Sequence, residues 1–207
     1  MSNNPTNWLK LISEVQAIAQ NGLAYCHNEF DKERYTRLRE IAAELTVEFT
    51  EHEREEIQLR FTLEHGYATP KLEIRAFVLK ENKILLVKER SDGLWTLPGG
   101  WTDINESPSE AVIRETREET GFNVSAVRLL ALWDEQKHDH PHHWPHTYKC
   151  FFHCDLISGE ATENIEISAI DFFDLNDLPP LSTPRVTQRQ LMRLYEQVTR
   201  AEQTLFD

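Results

Sequence analysis

The chain has 207 residues, 40% of them hydrophobic, and a formal net charge of -13 at pH 7. That is enough apolar material for a core in one domain, or in a domain with an appendage, while the acidic balance excludes a strong generic grip on nucleic acid, which needs Lys and Arg against phosphates. No apolar run approaches the roughly 20 residues of a membrane span, and the N-terminus shows no signal-peptide pattern, so the expected protein is cytoplasmic and has no membrane partner.

The first part of the chain reads as helical and separate. Apolar Trp8, Leu11, Ile12, Val15, Ile18 and Ala19 recur at helical intervals, Asn21-Gly22 reads as the break, and a second helix is expected from near Asp31 with Tyr35, Leu38, Ile41, Ala42, Leu45 and Phe49 on its stripe. Two such helices cannot bury their faces alone. They are expected to pack on each other, on the following domain or on a second copy of the chain. Residues 1–66 hold 7 Lys or Arg against 12 Asp or Glu, so a DNA-reading helix pair lacks its basic surface. A homodimerising and substrate-shaping domain over 1–66 is the reading adopted, followed by a second domain over 67–207.

From Tyr67 the pattern changes to strands. Leu72 to Leu79 and Lys83 to Val87, joined by a turn at Glu81-Asn82, lead the second domain, and further strands are expected around Ala126 to Trp133, Tyr148 to Leu156 and Ile170 to Phe173. Between them, Ser107, Pro108 and Glu110 supply an N-cap, a proline at the first helical position and the far end of a capping box. A helix should therefore start at Pro108 and stop near Thr120, where Gly121 can take the left-handed conformation. Leu178-Pro179-Pro180 ends the strands, and a last helix after Pro184 carries Leu191, Leu194 and Val198 on one stripe. Strands around one central helix indicate an α/β or α+β fold.

On the central helix Glu115, Glu118 and Glu119 fall at i, i+3 and i+4, within roughly 100° of arc. Such like charges repel and call for a cation. Mg2+, with Mn2+ as a substitute, prefers hard oxygen ligands and bridges one or two carboxylates to substrate phosphates. It can neutralise pyrophosphate oxygens and acidify a coordinated water. Arg114 would pair with a carboxylate, and Leu97-Pro98-Gly99-Gly100 is a tight loop whose backbone can approach a metal or a phosphate. The bland alternative, a solvated face of glutamates, does not account for the whole spacing.

The segment from Gly100 to Phe122 resembles the Nudix box, Gx5Ex7REUxEExGU with U apolar. Gly100, Glu106, Arg114, Glu115, Glu118, Glu119 and Gly121 match, and Thr116 stands at the first U. The resemblance implies an α/β/α sandwich around a mixed sheet, with Glu115, Glu118 and Glu119 as metal ligands, Gly100 offering a carbonyl, Arg114 and Glu106 supporting loop and helix, and Gly121 closing the box. Glu115 is taken as the general base. The helical N-terminus together with GYATPKLEIR, SDGLWTLPGGWTD and DLPPLSTPRV resembles the Nudix subgroup with a small helical N-terminal domain, which includes bacterial CDP-choline pyrophosphatases and ADP-ribose pyrophosphatases. The implied reaction is hydrolysis of a nucleoside diphosphate linked to another moiety, CDP-choline giving CMP and phosphocholine, with ADP-ribose as the alternative. RNA as a secondary substrate and a nucleotide sensor without turnover are the rival readings, the second disfavoured because every carboxylate of the box is kept.

Outside the box, KHDHPHHWPHTYK carries His138, His140, His142, His143 and His146, which could meet phosphate when protonated or move a proton. A substrate-facing lid is expected there, with His146 and Lys149 as the strongest individual candidates. Trp101 could stack on a base or on a choline methyl group, Asp103 flanks the same loop, and Trp95 is assigned to the core. Glu166 matches a downstream acid of the subgroup, while Ala169 stands where a second acid is common. Cys150 and Cys154 read as ordinary strand cysteines and not as a zinc site.

Overall fold

In a computed structural model the chain is described over residues 8–49, 54–141, 145–200 and 203–207. It divides into two compact units, Met1–Pro70 with His142–His146, and Lys71–Pro141 with Thr147–Asp207.

The first unit holds helices α1 (Trp8–Tyr25), α2 (Glu29–Phe49) and α3 (Arg54–Leu63). Its core is small: Ile12, Ala42, Ala43, Ile57 and Phe61. Gly22 does not break α1, which runs on to Tyr25; a Cβ at Gly22 would lie 2.4 Å from the Tyr35 ring, so the glycine is there to let that ring onto the helix backbone. The second helix starts at Glu29, close to Asp31 as expected, where the Asn28 side chain accepts from the Phe30 and Asp31 amides at 2.8 and 3.3 Å and caps it. The predicted stripe of α1 is also split, with Ile12 and Ala19 buried while Trp8, Leu11 and Ile18 are exposed. Helix α3 was not anticipated, since only Ile57 and Phe61, one turn apart, are buried in it.

The second unit is a mixed sheet. Its strands are β1 (Lys71–Lys80), β2 (Lys83–Glu89), β3 (Trp95–Thr96), β4 (Phe122–Asp134), β5 (Thr147–Gly159), β6 (Ile167–Phe173) and β7 (Leu205–Phe206). The order is β3-β2-β1-β5-β4-β7, and β6 also pairs with β2. β1 lies parallel to β5 from Lys71↔Thr147 to Val78↔Cys154, β5 is antiparallel to β4, and the turn between β1 and β2 has positive φ at both Glu81 and Asn82, as a tight hairpin requires. The pairing of β4 with β5 slips at three places, and β7 joins the other side of β4 at Ala131 and Leu132.

Helix α4 (Pro108–Thr120) covers one face of the sheet and α5 (Gln188–Arg200) the other. Ala111 and Val112 of α4 pack with Ile74, Ala76, Val78 and Leu85, while Leu191 and Leu194 of α5 pack with Phe77, Leu130, Trp133 and Phe151. This is the α/β/α sandwich expected, and Trp95 packs against the second cluster with its ring edge-on to Phe173 at 4.7 Å. Cys150 and Cys154 are buried free thiols in the first. Among the described residues no helix is long and apolar enough to cross a membrane.

Both covering helices begin on a reciprocal cap. Ser107 accepts from the Glu110 amide while Glu110 reaches back to the Ser107 amide at 2.8 Å. Thr187 and Gln190 repeat the arrangement before α5, which is why that helix starts at Gln188 and not directly after Pro184. Ser107→Ala is expected to lower the stability of the protein by about 1 kcal/mol, read as a shifted midpoint in urea; an unchanged midpoint would show that the cap contributes nothing.

Candidate active site

The site is built where the segment Leu97–Gly100 lies along the first half of β1. The Ala76 amide donates to the Pro98 carbonyl at 2.8 Å and the Ile74 amide to the Gly100 carbonyl at 2.9 Å. So close an approach needs glycine: Gly99 has φ +139° and a Cβ there would sit 2.1 Å from the Ile74 carbonyl oxygen. The Gly99 amide is thereby turned to α4, where it donates to Glu119 Oε2 at 2.8 Å. Gly100 faces the same helix, and a Cβ on it would come within 3.2 Å of the Glu115 carboxylate.

The acids of α4 stand in three environments. Glu119 is 6% exposed, and burial pushes its carboxyl up to about 8, against the opposing pull of Arg75 and the Gly99 amide. Glu115 is raised in the same direction by burial, opposed by Arg114. Glu118 is the most open of the three. Arg114 binds Glu106 through two nitrogens, at 2.6 and 3.0 Å, and its third bridges Glu115 Oε1 at 2.8 Å and Glu118 Oε2 at 3.0 Å. The Arg114 hydrogen bonds, with the Asp103 amide second, hold Glu106 down to about 2. The loop of Trp101 and Asp103 frames the helix start: Trp101 is half exposed, its carbonyl accepts from Arg114, and the Asp103 carboxylate lies 3.6 Å from the same guanidinium.

Gly121 ends α4 in the left-handed conformation, its amide donating to the Arg117 carbonyl. The strand-connecting loop before β6 closes over that end, with the Asn164 side chain donating to the Glu118 carbonyl at 2.7 Å and the Thr162 amide to the Thr120 carbonyl. Glu166 is exposed on this loop, and Ala169 is paired opposite Lys88 in the sheet.

Other candidates are placed elsewhere. Lys149 does not face a substrate: it is 1% exposed, and its ammonium donates to the Pro184 and Arg185 carbonyls and to Glu73. The histidine-rich segment is not a uniform lid either. His138 lies against the Trp133 ring at 4.7 Å and meets Asp207 Oδ1 at 3.1 Å. His140 is 8% exposed, with Nδ1 donating to the Thr183 carbonyl and Nε2 accepting from the Gln190 side chain. His142 and His143 lie outside the described residues, and His146 groups with the helical unit.

Two residues not singled out from the sequence prove central. Glu73 and Arg75 are buried on β1, joined at 2.6 Å, and Arg75 also donates to the Leu97 carbonyl at 2.9 Å. The signal was available: opposite charges at i and i+2 inside an otherwise apolar strand.

Among the described residues no three His, Cys, Asp or Glu side chains cluster tightly enough to enclose a metal ion; the Arg114 guanidinium stands between Glu115 and Glu118 instead. Magnesium does not need such an enclosure, since one or two carboxylates and substrate phosphates suffice. The donor set fits it: hard carboxylate oxygens, the buried Glu119 with an oxygen beyond the one held by Gly99, and a Gly100 carbonyl that accepts one hydrogen bond and keeps a second lone pair.

Residues 69–195 match the NUDIX domain family, and residues 6–61 match the family described as "UDP-X-like, N-terminal oligomerisation domain". The chain is 41% identical over 203 residues to the putative ADP-ribose pyrophosphatase YjhB of Bacillus subtilis, covering 98% of each. It is 35% identical to an ADP-ribose pyrophosphatase of Methanocaldococcus jannaschii over 56% of this chain and 69% of that one. Among solved structures it is similar to a UDP-X diphosphatase, with TM-score 0.65, 32% identity and coverage of 97% and 98%. An ADP-ribose pyrophosphatase from Streptococcus suis gives TM-score 0.61 and 44% identity, over 67% of this chain and all of that one.

Gly99→Ala is expected to cost about 3 kcal/mol or more, from a strained φ together with a backbone collision; urea denaturation measures it, and a loss below about 1 kcal/mol would mean the segment can lift off β1 freely. His140 gives a pH test. Burial, then the Lys149 charge, depresses it to about 4, so the unfolded chain takes up the proton first, near 6.5. Stability present above pH 6.5 is therefore lost as pH falls towards 4, by up to about 3 kcal/mol. His140→Gln should flatten that part of the stability curve, and an unaltered slope would count against a buried neutral imidazole.

Proposed function

The chain belongs to the Nudix hydrolase family, and from that premise we propose that Glu115, Glu118 and Glu119 hold Mg2+, or Mn2+ in its place, together with the Gly100 carbonyl. The observation that carries this reading is the contact of loop and helix, where Glu119 accepts from Gly99 and the Glu115 carboxylate packs on Gly100. When bound, magnesium supplies positive charge to pyrophosphate oxygens and makes water more acidic.

The chain's own residues do the remaining work. Glu115 accepts a proton from the attacking water, and burial makes it a stronger base than an exposed glutamate. Arg114, fixed on Glu106, bridges Glu115 and Glu118 and holds the two carboxylates side by side. Gly121 and Asn164 hold the end of the helix so that Glu118 and Glu119 keep their places. Trp101 and Asp103 lie on the rim, where a half-exposed indole offers a face to a base or a quaternary ammonium. Glu166 is exposed on the loop that packs over the end of α4.

As a Nudix hydrolase of the ADP-ribose pyrophosphatase type the protein acts on nucleoside diphosphates linked to another moiety. Within that class we read CDP-choline as the substrate, cleaved to CMP and phosphocholine, with the Trp101 ring as the supporting feature. ADP-ribose is the second reading, favoured by the names of the relatives. Long RNA is a poor partner for a chain of net charge -13. The helical unit is read as the surface that pairs two copies, given its family description and the exposed Trp8, Leu11 and Ile18.

The test is product analysis with magnesium on CDP-choline, ADP-ribose and a short RNA, with solution mass measured on the same protein. Release of CMP and phosphocholine is expected. Glu118→Gln should reduce it by about a hundredfold or more, since even outer partners of metal ligands typically cost tenfold to a hundredfold. Faster turnover of ADP-ribose would move the substrate to the second reading, turnover of none would reject the hydrolase, and a mass near 24.3 kDa would reject the pairing.

A further inference from the structure

Beneath the acidic helix lies a line of buried charge that the reaction outlined above does not use. Arg75 is 4% exposed and Glu73 7%; the Arg75 Nε donates to Glu73 Oε1 at 2.6 Å, and Lys149, 1% exposed, reaches Glu73 Oε2 at 3.2 Å from the neighbouring strand. Two cations thus share one carboxylate. The free arm of Arg75 leaves the cluster and donates to the Leu97 carbonyl at 2.9 Å.

That carbonyl is the first of the segment on which the site depends. Pro98 and Gly100 are held by backbone amides of β1, whereas Leu97 is held by a side chain, at the point where the chain leaves β3. The planar fork of arginine can bond Glu73 and the carbonyl at once in a fixed direction; an ammonium in its place makes neither pairing with that geometry. The same guanidinium acts by charge on Glu119 and Glu115, which its positive field favours in the ionised form.

We propose that Arg75 is a positioning residue for the hydrolysis: anchored by Glu73 and Lys149, it fixes Leu97 and through it the Gly99 amide that donates to Glu119 and the Gly100 backbone that packs against Glu115. The inference rests on the hydrolase reading above for its effect on turnover, but not for its effect on the loop. Its consequence is that turnover depends on a residue that neither substrate nor metal touches.

The experiment uses the full chain and two variants, Arg75→Lys and Glu73→Gln. The first readout is hydrogen exchange of the Gly99, Ile74 and Ala76 amides in the metal-free protein. Arg75→Lys should speed these by about tenfold, the scale of one hydrogen bond to a charged group, while amides in β4 and β5 stay as they were. The second is kinetics with magnesium and whichever nucleotide is turned over: kcat should fall by tenfold to about a hundredfold, the effect of a misplacement near 1 Å, with KM within about twofold because no substrate contact is lost. Glu73→Gln, which leaves Arg75 less firmly held, should move both readouts in the same direction by a smaller factor.

Unchanged exchange at Gly99, Ile74 and Ala76 in Arg75→Lys would overturn the proposal, as would wild-type kcat beside a lowered unfolding midpoint, the mark of a merely structural ion pair. Should Arg75→Lys not fold, Glu73→Gln decides by the same amides. Absence of turnover in the unaltered protein would count against the hydrolase reading alone, and the exchange rates would still decide whether Arg75 holds the loop.

Discussion

The acidic site depends on how closely the backbone at Gly99 can lie against β1. With a hydrogen in place of a Cβ, the segment from Leu97 to Gly100 lies along β1, whose amides take up the Pro98 and Gly100 carbonyls. The hairpin to β2 leaves room for this, because β1 and β2 pair directly only at Leu79↔Ile84 and Lys80↔Lys83. The consequences are geometric: a Gly99 amide aimed at Glu119, a Gly100 surface against Glu115, and a helix whose two ends are pinned by Ser107 and Gly121. A side chain at Gly99 would move all of these together.

Electrostatics sets the second requirement. Glu115, Glu118 and Glu119 on one helix face repel one another, and two arginines oppose that repulsion from different sides. Arg114 does so near the surface, where its four carboxylate neighbours leave little freedom. Arg75 does so from within, where breaking an ion pair typically costs about 3 to 5 kcal/mol. Burial of Glu119 works against ionisation, and the nearby guanidinium works for it. The result is an acid held in place but incompletely satisfied, which is the condition under which a divalent cation adds most.

Much of this was legible because it is local. The capping residues fix both ends of α4, and the mostly apolar run from Leu72 to Leu79 gives β1; the fixed spacing from Gly100 to Gly121 singles out the acids of α4, two of which lie against Gly99 and Gly100. What stayed hidden depends on distant partners. Gly22 reads as a helix break unless the Tyr35 ring is known to press on it. Lys149, next to a histidine-rich stretch, reads as a substrate-facing cation until the parallel register sets it directly beside Glu73. His138 and His140 suggested a lid, but their partners Asp207, Thr183 and Gln190 lie 43 to 69 positions further on. Helix α3 shows just two buried apolar residues, too few for periodicity to announce it.

The thirteen-residue strand β4 also has a consequence for how the protein behaves at high concentration. It stands near the margin of the sheet, paired on its outer side among the described residues with β7 at Ala131 and Leu132, while the Thr204 hydroxyl donates to the Leu129 carbonyl. A long, flat margin of that kind invites strands from other molecules. Three slips of register along β4 bend and twist it, and the Asp207 carboxylate takes up the Asp134 amide at its end. An incoming strand would find few consecutive amides and carbonyls in step, so the irregularity of β4 guards the folded chain against strand-by-strand aggregation.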